Sequence, residues 1–338
     1  PGNPQRLNSR PLSAAWSPDH RYLSLVNAGL GTVESNYEQS TATLDTRAGK
    51  LTDYPDARTG AQAHQTLYSG IAFSAAGSAI HASLDSLSAP EGGQPGETGN
   101  AIAVYRFTGD NLTPERLIPV PLRKLSDGQK QQHEIMDLSQ ENAIPAPAGL
   151  AVVKGADGAE KLLVADEYSD DVLLLDAASG KLDTRFDLSA GTTIPTTYPI
   201  AVVASPDGHR AWVALWNGSA VAELDLRSGK VKQQLPLLPP IRPTDPSSHP
   251  IAMTLSADGT KLYVALANRD SVAVVQVSGA KMRLADVLDA RLPGQAFFGA
   301  EPDAVALADD GKTLYTADAG SDAVAVFDLQ KLSGPDAL

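Results

Sequence analysis

Three polar side chains stand directly before prolines in the second half of the sequence, and two of them could carry out acid–base chemistry. Tyr198, His249 and Glu301 each precede such a proline, and we expect Tyr68 to occupy the same place nearer the start of the chain. A histidine and a glutamate on neighbouring repeats could act as a general base and the group that orients it, or share a divalent metal ion. The alternative is that these side chains cap neighbouring loops through hydrogen bonds.

A second set of residues is expected farther out on the same face of the molecule. Its members are Asn27, Asp85, Asp166, Glu167, Trp216, Asn217, Asn268, Arg269, Asp270 and Asp318. Ligands bind preferentially where several loops converge on a concave surface. We therefore predict a binding group made of Tyr68, Tyr198, His249, Glu301, Trp216, Asn217 and Asn268. Trp216 is expected either to stack on a ligand or to pack against the neighbouring repeat.

Acidic side chains also cluster within one short loop. Asp166 and Glu167 are followed by Asp170 and Asp171, and carboxylate oxygens are ligands that calcium prefers. The run lacks the alternation of ligands and the glycine of a known calcium loop, which favours a solvated turn. The metal-ligand candidates are Asp166, Glu167, His249 and Glu301; no cofactor is predicted, with a divalent metal as the alternative.

A long internal repeat must position these residues. Prolines at 147, 199, 250 and 302 recur at steps of 52, 51 and 52 residues, and Asp-Gly pairs begin at 207, 258 and 310. In the repeat that starts at Pro250, apolar runs rich in Val and Ile predict strands over 251–255, 261–265 and 271–277, separated by turn residues. A fourth strand follows in some repeats, as at 231–235.

Four short strands per repeat are typical of a β-propeller blade. One blade exposes both faces of its sheet, so blades must stack around an axis. A β-sandwich also has short strands but does not require a fixed long period. We predict an all-β propeller of four-stranded blades with six repeats visible, as a single domain over residues 1–338 with insertions at about 86–99 and 122–142. The second insertion is expected to hold one or two helical turns.

The sixth repeat lacks room for a fourth strand. An open sheet edge exposes unpaired backbone groups, so a ring should be closed. Either residues 1–11 supply the closing strand of a six-bladed ring, or the chain is the front part of a longer one.

Composition excludes several classes of partner. The 338 residues carry 27 basic and 40 acidic side chains, a net charge of −13, which disfavours nucleic acid and anionic membrane surfaces. No apolar run approaches the ~20 residues of a membrane span. The chain has no cysteine, so it has neither disulfides nor thiolate chemistry.

The repeat resembles a known bacterial family. The stretches YPIAVVASPDGHRAWVALWNGSAVAELDLRSGK and EPDAVALADDGKTLYTADAGSDAVAVFDL are similar to YVTN-type, YncE-like propellers. The stretches PLSAAWSPDHRYLSLVNAG and NAIAVYRFTGDNLTPERLIPV resemble a subgroup in which such a propeller precedes an alkaline-phosphatase-like domain. The resemblance implies a seven-bladed ring and a periplasmic or secreted bacterial protein. The phosphatase domain itself is absent from this sequence, so none of its residues can be transferred.

The sequence leaves the activity open between two main alternatives. It has no nucleophile elbow, no His-Glu-x-x-His and no phosphate loop. We therefore expect an exported, non-catalytic scaffold that binds a small molecule or a protein, with an accessory role beside a phosphatase-like domain as a variant of that hypothesis. The alternative is a lactonase-like hydrolase with a divalent metal at the mouth of the central channel around which the blades stack, using His249 and Glu301.

Overall fold

The computed structural model describes residues 7, 10–29, 31–60, 64–86, 89, 92, 99–132, 141–155, 157–242 and 244–331. The chain divides into two compact units, one made of residues 1–185 with 191–195 and the other of 186–190 with 196–338. Most of the predicted insertion at 86–99, the centre of the one at 122–142 and most of residues 1–11 lie outside the described part.

The first unit contains three antiparallel sheets of four strands, each in sequential order. Sheet 1 comprises β1 (Pro11–Trp16), β2 (Tyr22–Asn27), β3 (Ser40–Asp45) and β4 (Lys50–Pro55). Sheet 2 comprises β5 (Thr66–Phe73), β6 (Ala79–Asp85), β7 (Ala101–Phe107) and β8 (Leu112–Pro119). After the short strands β9 (Arg123–Lys124), β10 (Lys130–Gln131) and β11 (Asn142–Ala143), sheet 3 comprises β12 (Pro147–Lys154), β13 (Glu160–Asp166), β14 (Asp171–Asp176) and β15 (Leu182–Asp187). The short β16 (Thr193–Ile194) pairs with β10, and two 3₁₀ turns cover Val33–Ser35 and Ala57–Thr59.

The second unit continues the same pattern with three more sheets. Sheet 4 comprises β17 (Pro199–Ala204), β18 (Arg210–Leu215), β19 (Ala220–Asp225) and β20 (Lys230–Pro236). Sheet 5 comprises β21 (Pro250–Leu255), β22 (Lys261–Leu266), β23 (Ser271–Gln276) and β24 (Arg283–Asp289), with a 3₁₀ turn at Ala267–Arg269. Sheet 6 has three strands within the described residues, β25 (Pro302–Leu307), β26 (Thr313–Asp318) and β27 (Ala323–Asp328).

The sheets are the predicted propeller blades. In each unit the first strand of one sheet lies beside the first strand of the next, β5 beside β1, β12 beside β5, β21 beside β17 and β25 beside β21. Apolar side chains fill the space between consecutive sheets, as with Trp212 of sheet 4 and Val264 and Val275 of sheet 5. Full burial of one such Val or Leu side chain contributes about 1.5–3 kcal/mol. The prediction of an all-β propeller is confirmed, with six blades in the described structure.

The repeated turn between the first two strands has the chemistry that its sequence predicts. Ser256 Oγ donates to Asp258 Oδ1 at 2.6 Å, and Gly259 adopts a left-handed φ of 68°. Side-chain carboxylates stabilise such turns locally, and glycine takes a positive φ without steric cost. Ser205, Asp207 and Gly208 repeat this arrangement one blade earlier.

One expectation about the first unit stays a prediction and another needs correction. The described parts of 122–142 contain the short strands β9–β11, which pair with each other and with β16, and the helical turns expected in this insertion stay a prediction because its centre lies outside the described residues. Tyr68 is not the equivalent of the residues before the blade prolines: Thr66 pairs with Asp85 as Pro147 pairs with Asp166, so the equivalent position is Gln65. Tyr68 instead lies in the irregular stretch between Leu67 and Ile71.

Candidate functional site

The three residues that precede blade prolines in the second unit share an uncommon backbone conformation. Tyr198, His249 and Glu301 have φ angles of 52°, 50° and 51°, in the left-handed region that non-glycine residues rarely occupy. Such a conformation costs on the order of 1–2 kcal/mol per residue and persists where the surroundings fix it. Here the fixing bonds are the same in each blade, because each carbonyl accepts a backbone N–H from the residue that follows the second strand. The donors are Trp216, Ala267 and Ala319, at 2.9, 3.0 and 3.0 Å.

Aromatic stacking brings three of the predicted residues together. The indole of Trp216 lies flat on the imidazole of His249, with ring centroids 3.7 Å apart and planes 16° apart. The rings of Tyr198 and Trp216 also make an edge-type contact, with centroids 5.9 Å apart and planes 62° apart. Trp216 therefore contacts the neighbouring blade and orients a titratable ring there.

His249 is held in a state suited to accepting a proton. Partial burial and then the positive charge of Arg269 lower its pKa below the ordinary histidine value. Its Nε2 is 3.5 Å from Nδ2 of Asn268, which donates to the carbonyl of Ser247 at 3.1 Å. A neutral imidazole at physiological pH can act as a general base.

Arg269 is a cation fixed by backbone carbonyl groups. Its Nε, Nη1 and Nη2 donate to the carbonyls of Leu238, Asn268 and Pro246 at 3.4, 3.3 and 2.9 Å. No carboxylate among the described residues forms an ion pair with it. Two of the five guanidinium N–H groups remain available for a bound oxygen atom.

A cavity of about 730 Å³ opens beside these residues. Its size falls within the ~300–1,000 Å³ usual for small-molecule sites. It is lined by Leu238, Pro239, Ile241, Asp245, Pro246, Ala267, Asn268, Arg269, Asp270, Phe298, Gly299 and Glu301. Thus Asn268 and Glu301 of the predicted group line it, and Asn268 also adjoins His249.

A difference in side-chain size at one equivalent position of two blades explains where the cavity forms. Ala267 makes the same backbone bond to His249 that Trp216 makes to Tyr198, so the two residues are equivalent. Trp216 covers the side chain that precedes the next blade, His249. Ala267 has no side chain long enough to cover Glu301, which stays exposed at the cavity edge.

Asp270 fixes the backbone of the segment that carries Glu301. Its carboxylate accepts backbone N–H groups of Gly299, Ala300 and Glu301 at 2.8, 3.0 and 3.1 Å. Asp270 is itself buried and left-handed, with φ of 46°. It therefore joins the loop after β22 to the segment that enters β25.

Tyr68, Asp166 and Glu167 belong to the first unit and form a separate acidic group with Asp85. The hydroxyl of Tyr68 donates to both carboxylate oxygens of Glu167 at 3.2 Å. Burial raises the pKa of Glu167 to about 7 and that of Asp85 to about 6. Burial and the nearby charge of Asp171 raise the pKa of Asp166 well above its usual range, and neither of its oxygens has a partner among the described residues.

The metal-ligand candidates do not assemble into a recognisable site. Within the described ranges, no group of three or more His, Asp or Glu side chains is arranged to hold a metal ion. His249 and Glu301 lie in one unit, Asp166 and Glu167 in the other. Asp171 is paired with Arg185, not with the solvent that a surface turn would offer.

The repeat pattern misplaces one residue of the predicted binding group and does not identify two residues that line the cavity. Asn217 is exposed and its side chain bonds the carbonyl of Thr196, away from the cavity lining. Ile241 and Phe298, which line the cavity, come from loops that lack the repeat. Their only sequence signal is the presence of large apolar residues in segments rich in proline and glycine.

The described residues include no helix that is long and apolar enough to cross a membrane. This finding concerns helices alone.

Solved structures of several bacterial propellers are similar to this chain. The periplasmic gluconolactonase of Pseudomonas aeruginosa matches with a TM-score of 0.64 and 19% identity, over 94% of this chain and 81% of that one. A protein described as a putative 6-phosphogluconolactonase from Bacteroides uniformis matches with a TM-score of 0.60 and 16% identity, over 94% of this chain and 80% of that one. A protein from Bacteroides fragilis with the same description matches with a TM-score of 0.61 and 17% identity, over 94% of this chain and 80% of that one. At these identities the likeness concerns the fold. No curated protein matches the chain in sequence.

A family match supplies the finding that bears on function. The model described as "Lactonase, 7-bladed beta-propeller" matches residues 155–335, more than half of the chain. The expectation of a non-catalytic scaffold is therefore wrong, and the lactonase alternative is favoured. The chain belongs to the Lactonase family of seven-bladed β-propellers.

Proposed function

We propose that this protein hydrolyses lactones, with His249 as the general base; His249 is not itself a lining residue of the cavity but contacts Asn268, which is. The observation that carries the proposal is the stacked, partly buried imidazole with a lowered pKa, next to Arg269 and Asn268 of the cavity lining. A base, an oxyanion partner and a cavity for the substrate are the parts that ester hydrolysis requires.

The reaction can be written with these side chains alone. His249 takes a proton from a water molecule as the water oxygen bonds to the lactone carbonyl carbon. The carbonyl oxygen becomes an oxyanion, which the free N–H groups of Arg269 stabilise. The ring C–O bond then breaks, the leaving alkoxide receives the proton from the imidazolium, and the product is a hydroxy acid. Nε2 of His249 is the accepting nitrogen: its contact with Nδ2 of Asn268 is long, at 3.5 Å, and the attacking water replaces Asn268 as the partner of the Nε2 lone pair.

Glu301 is the second residue of the predicted pair. Its carboxylate is exposed at the cavity edge, and its backbone N–H is fixed by Asp270. We assign it to hydrogen bonding with the substrate rather than to proton abstraction from water. No step is assigned to a divalent metal, because the described donor groups do not form a set of three or more ligands.

Release of acid from a lactone provides the test. Hydrolysis of a panel of lactones should be followed with a pH indicator, with the uncatalysed rate subtracted. We expect His249→Gln to lower kcat by about 10²–10⁴-fold, the usual contribution of a general base. Glu301→Gln should act mainly on KM. A matched control is His209→Gln, since His209 is in the turn at the opposite end of β18 and bonds Arg227.

Each outcome has a defined meaning. A wild-type protein that hydrolyses no lactone would refute the function. Normal kcat in His249→Gln together with a large loss in Glu301→Gln would move the base to Glu301.

We also propose that the protein acts in the periplasm or outside the cell. The resemblance to YncE-like propellers supports export, and a chain without cysteine is compatible with an oxidising compartment. The similar gluconolactonase of P. aeruginosa is described as periplasmic. Fractionation of the source cells tests this, because recovery of the protein with cytoplasmic markers would contradict it.

A further inference from the structure

We propose that the lactone taken at this cavity is uncharged and carries an apolar alkyl or aryl substituent, in contrast to a polyhydroxylated or phosphorylated sugar lactone. This inference rests on the proposed function and assigns its substrate class. It follows from three properties of the cavity lining.

The first property is an apolar wall that faces solvent. Ile241 and Phe298 line the cavity and are 93% and 70% exposed. Leu238, Pro239 and Pro246 extend the same wall. Exposed apolar surface around a concave site is typical of a binding groove for an apolar group.

The second property is that most hydrogen-bond donors among the polar side chains of the lining are already used. Asp270 accepts three backbone N–H groups, and Asp245 accepts the backbone N–H of Arg242 at 2.9 Å. Asn268 donates to Ser247 and Arg269 donates to three carbonyl groups. A sugar lactone needs a partner for every buried hydroxyl, and an unpaired one costs affinity. Once the two remaining N–H groups of Arg269 serve the lactone carbonyl, the described lining side chains offer acceptors, such as the carboxylate of Glu301, but no further donor for the hydroxyl oxygens of a sugar.

The third property is the charge of the lining. Among the described lining residues there are one guanidinium, that of Arg269, and three carboxylates, those of Asp245, Asp270 and Glu301. Sites for phosphate monoesters bring several cations or helix N-termini to the anion. The acidic balance here opposes a phosphorylated substrate and leaves Arg269 to serve the carbonyl oxygen.

A substrate panel separates this inference from the function on which it rests. Dihydrocoumarin and γ-nonalactone represent the apolar class, and glucono-1,5-lactone with its 6-phosphate represents the sugar class. We expect kcat/KM at least about tenfold higher for the apolar class, since single apolar groups discriminate substrates by about 10–200-fold. Hydrolysis of sugar lactones at equal or higher efficiency would overturn the inference and leave the function standing. No hydrolysis of either class would overturn both.

Two neighbouring phenylalanines provide a matched pair of variants. Phe298 lines the cavity, whereas Phe297 is 84% exposed and does not. We expect Phe298→Ser to raise KM for dihydrocoumarin by about tenfold with kcat retained, and Phe297→Ser to leave both unchanged. Both positions are exposed, so folding should be preserved and can be checked by circular dichroism. Equal KM in the two variants would overturn the inference.

Discussion

The indole of Trp216 covers one face of the His249 imidazole at a centroid distance of 3.7 Å, although the two residues belong to different blades. The contact removes water from that face of the ring. Desolvation disfavours the charged form of a histidine, so the stack itself contributes to the lowered pKa. A residue of one blade thereby adjusts the acid–base behaviour of the next.

Replacing Trp216 should therefore change the pH dependence of activity. In Trp216→Leu the imidazole gains water, the pKa of His249 rises, and the acid limb of kcat/KM moves to higher pH. The free-enzyme pKa is reported by the pH profile of kcat/KM. Trp16→Leu is the control, since Trp16 is half exposed on β1 and should leave the limb in place. An unchanged limb in Trp216→Leu would exclude the stack as a cause.

Arg269 should influence the same limb through its charge. Its positive charge is the second cause of the lowered pKa of His249, after burial. Arg269→Gln removes that charge, so the acid limb should move to higher pH, and kcat should fall by about 10²–10³-fold through loss of the oxyanion partner. The exposed Arg227 offers a control, because Arg227→Gln should alter neither quantity. A fall in kcat without movement of the limb would separate the two roles and reject the charge effect.

Asp270 should stabilise the fold much more than its counterpart one blade later. Asp270 and Asp322 both have left-handed backbones, with φ of 46° and 50°, but Asp322 is exposed. Alanine costs about the same backbone strain at both sites. Asp270→Ala also leaves three backbone N–H groups without their acceptor, so its free energy of unfolding should fall by about 3 kcal/mol more than that of Asp322→Ala. Denaturant titration measures this difference, and equal losses would refute it.

The acidic group of the first unit should make stability depend on pH. Burial raises the pKa of Glu167 from 4.5 to about 7, so the folded state binds more protons than the unfolded state between those values. The contribution of Glu167 to the free energy of unfolding is therefore largest at and below pH 4.5 and falls as the pH rises to about 7. For Glu167 the loss is about 3 kcal/mol.

Glu167→Gln tests this dependence because glutamine does not titrate. We expect the variant to unfold at a higher temperature than the wild type at pH 8, with a smaller difference at pH 4.5. Glu115→Gln, an exposed position on β8, should leave the pH profile unchanged. A wild-type profile that rises between pH 5 and pH 7 in parallel with that of Glu167→Gln would contradict the prediction.

Much of the fold follows from local sequence. Pro147, Pro199, Pro250 and Pro302 each begin the first strand of a sheet, and the Asp-Gly turns lie where their spacing predicts. These features could be predicted because turn chemistry is local and the repeat supplies it several times. The position of Tyr68 in the repeat could not be predicted. The pairing of β5 with β6 is irregular between Leu67 and Ile71, and no turn signal in the sequence marks this irregularity.

The site could be predicted in part. The equivalence of Tyr198, His249 and Glu301 follows from the blade prolines, but the stack on His249 depends on how adjacent sheets pack. The role of Asp270 as an acceptor for the next blade is also a tertiary relation. Apolar cavity residues such as Phe298 lie outside the repeat, so no period marks them.

The left-handed positions have a consequence for how this protein can change. Their conformation is set by main-chain bonds that do not involve the side chain, so the backbone at 198, 249 and 301 is the same whether the residue is tyrosine, histidine or glutamate. New reactivity can therefore be introduced at any of the three by one codon, with no rearrangement of the scaffold. Exchanging the residues at 249 and 301 would reverse the order of the imidazole and the carboxylate on the two blades without changing the backbone. These positions are therefore starting points for engineering.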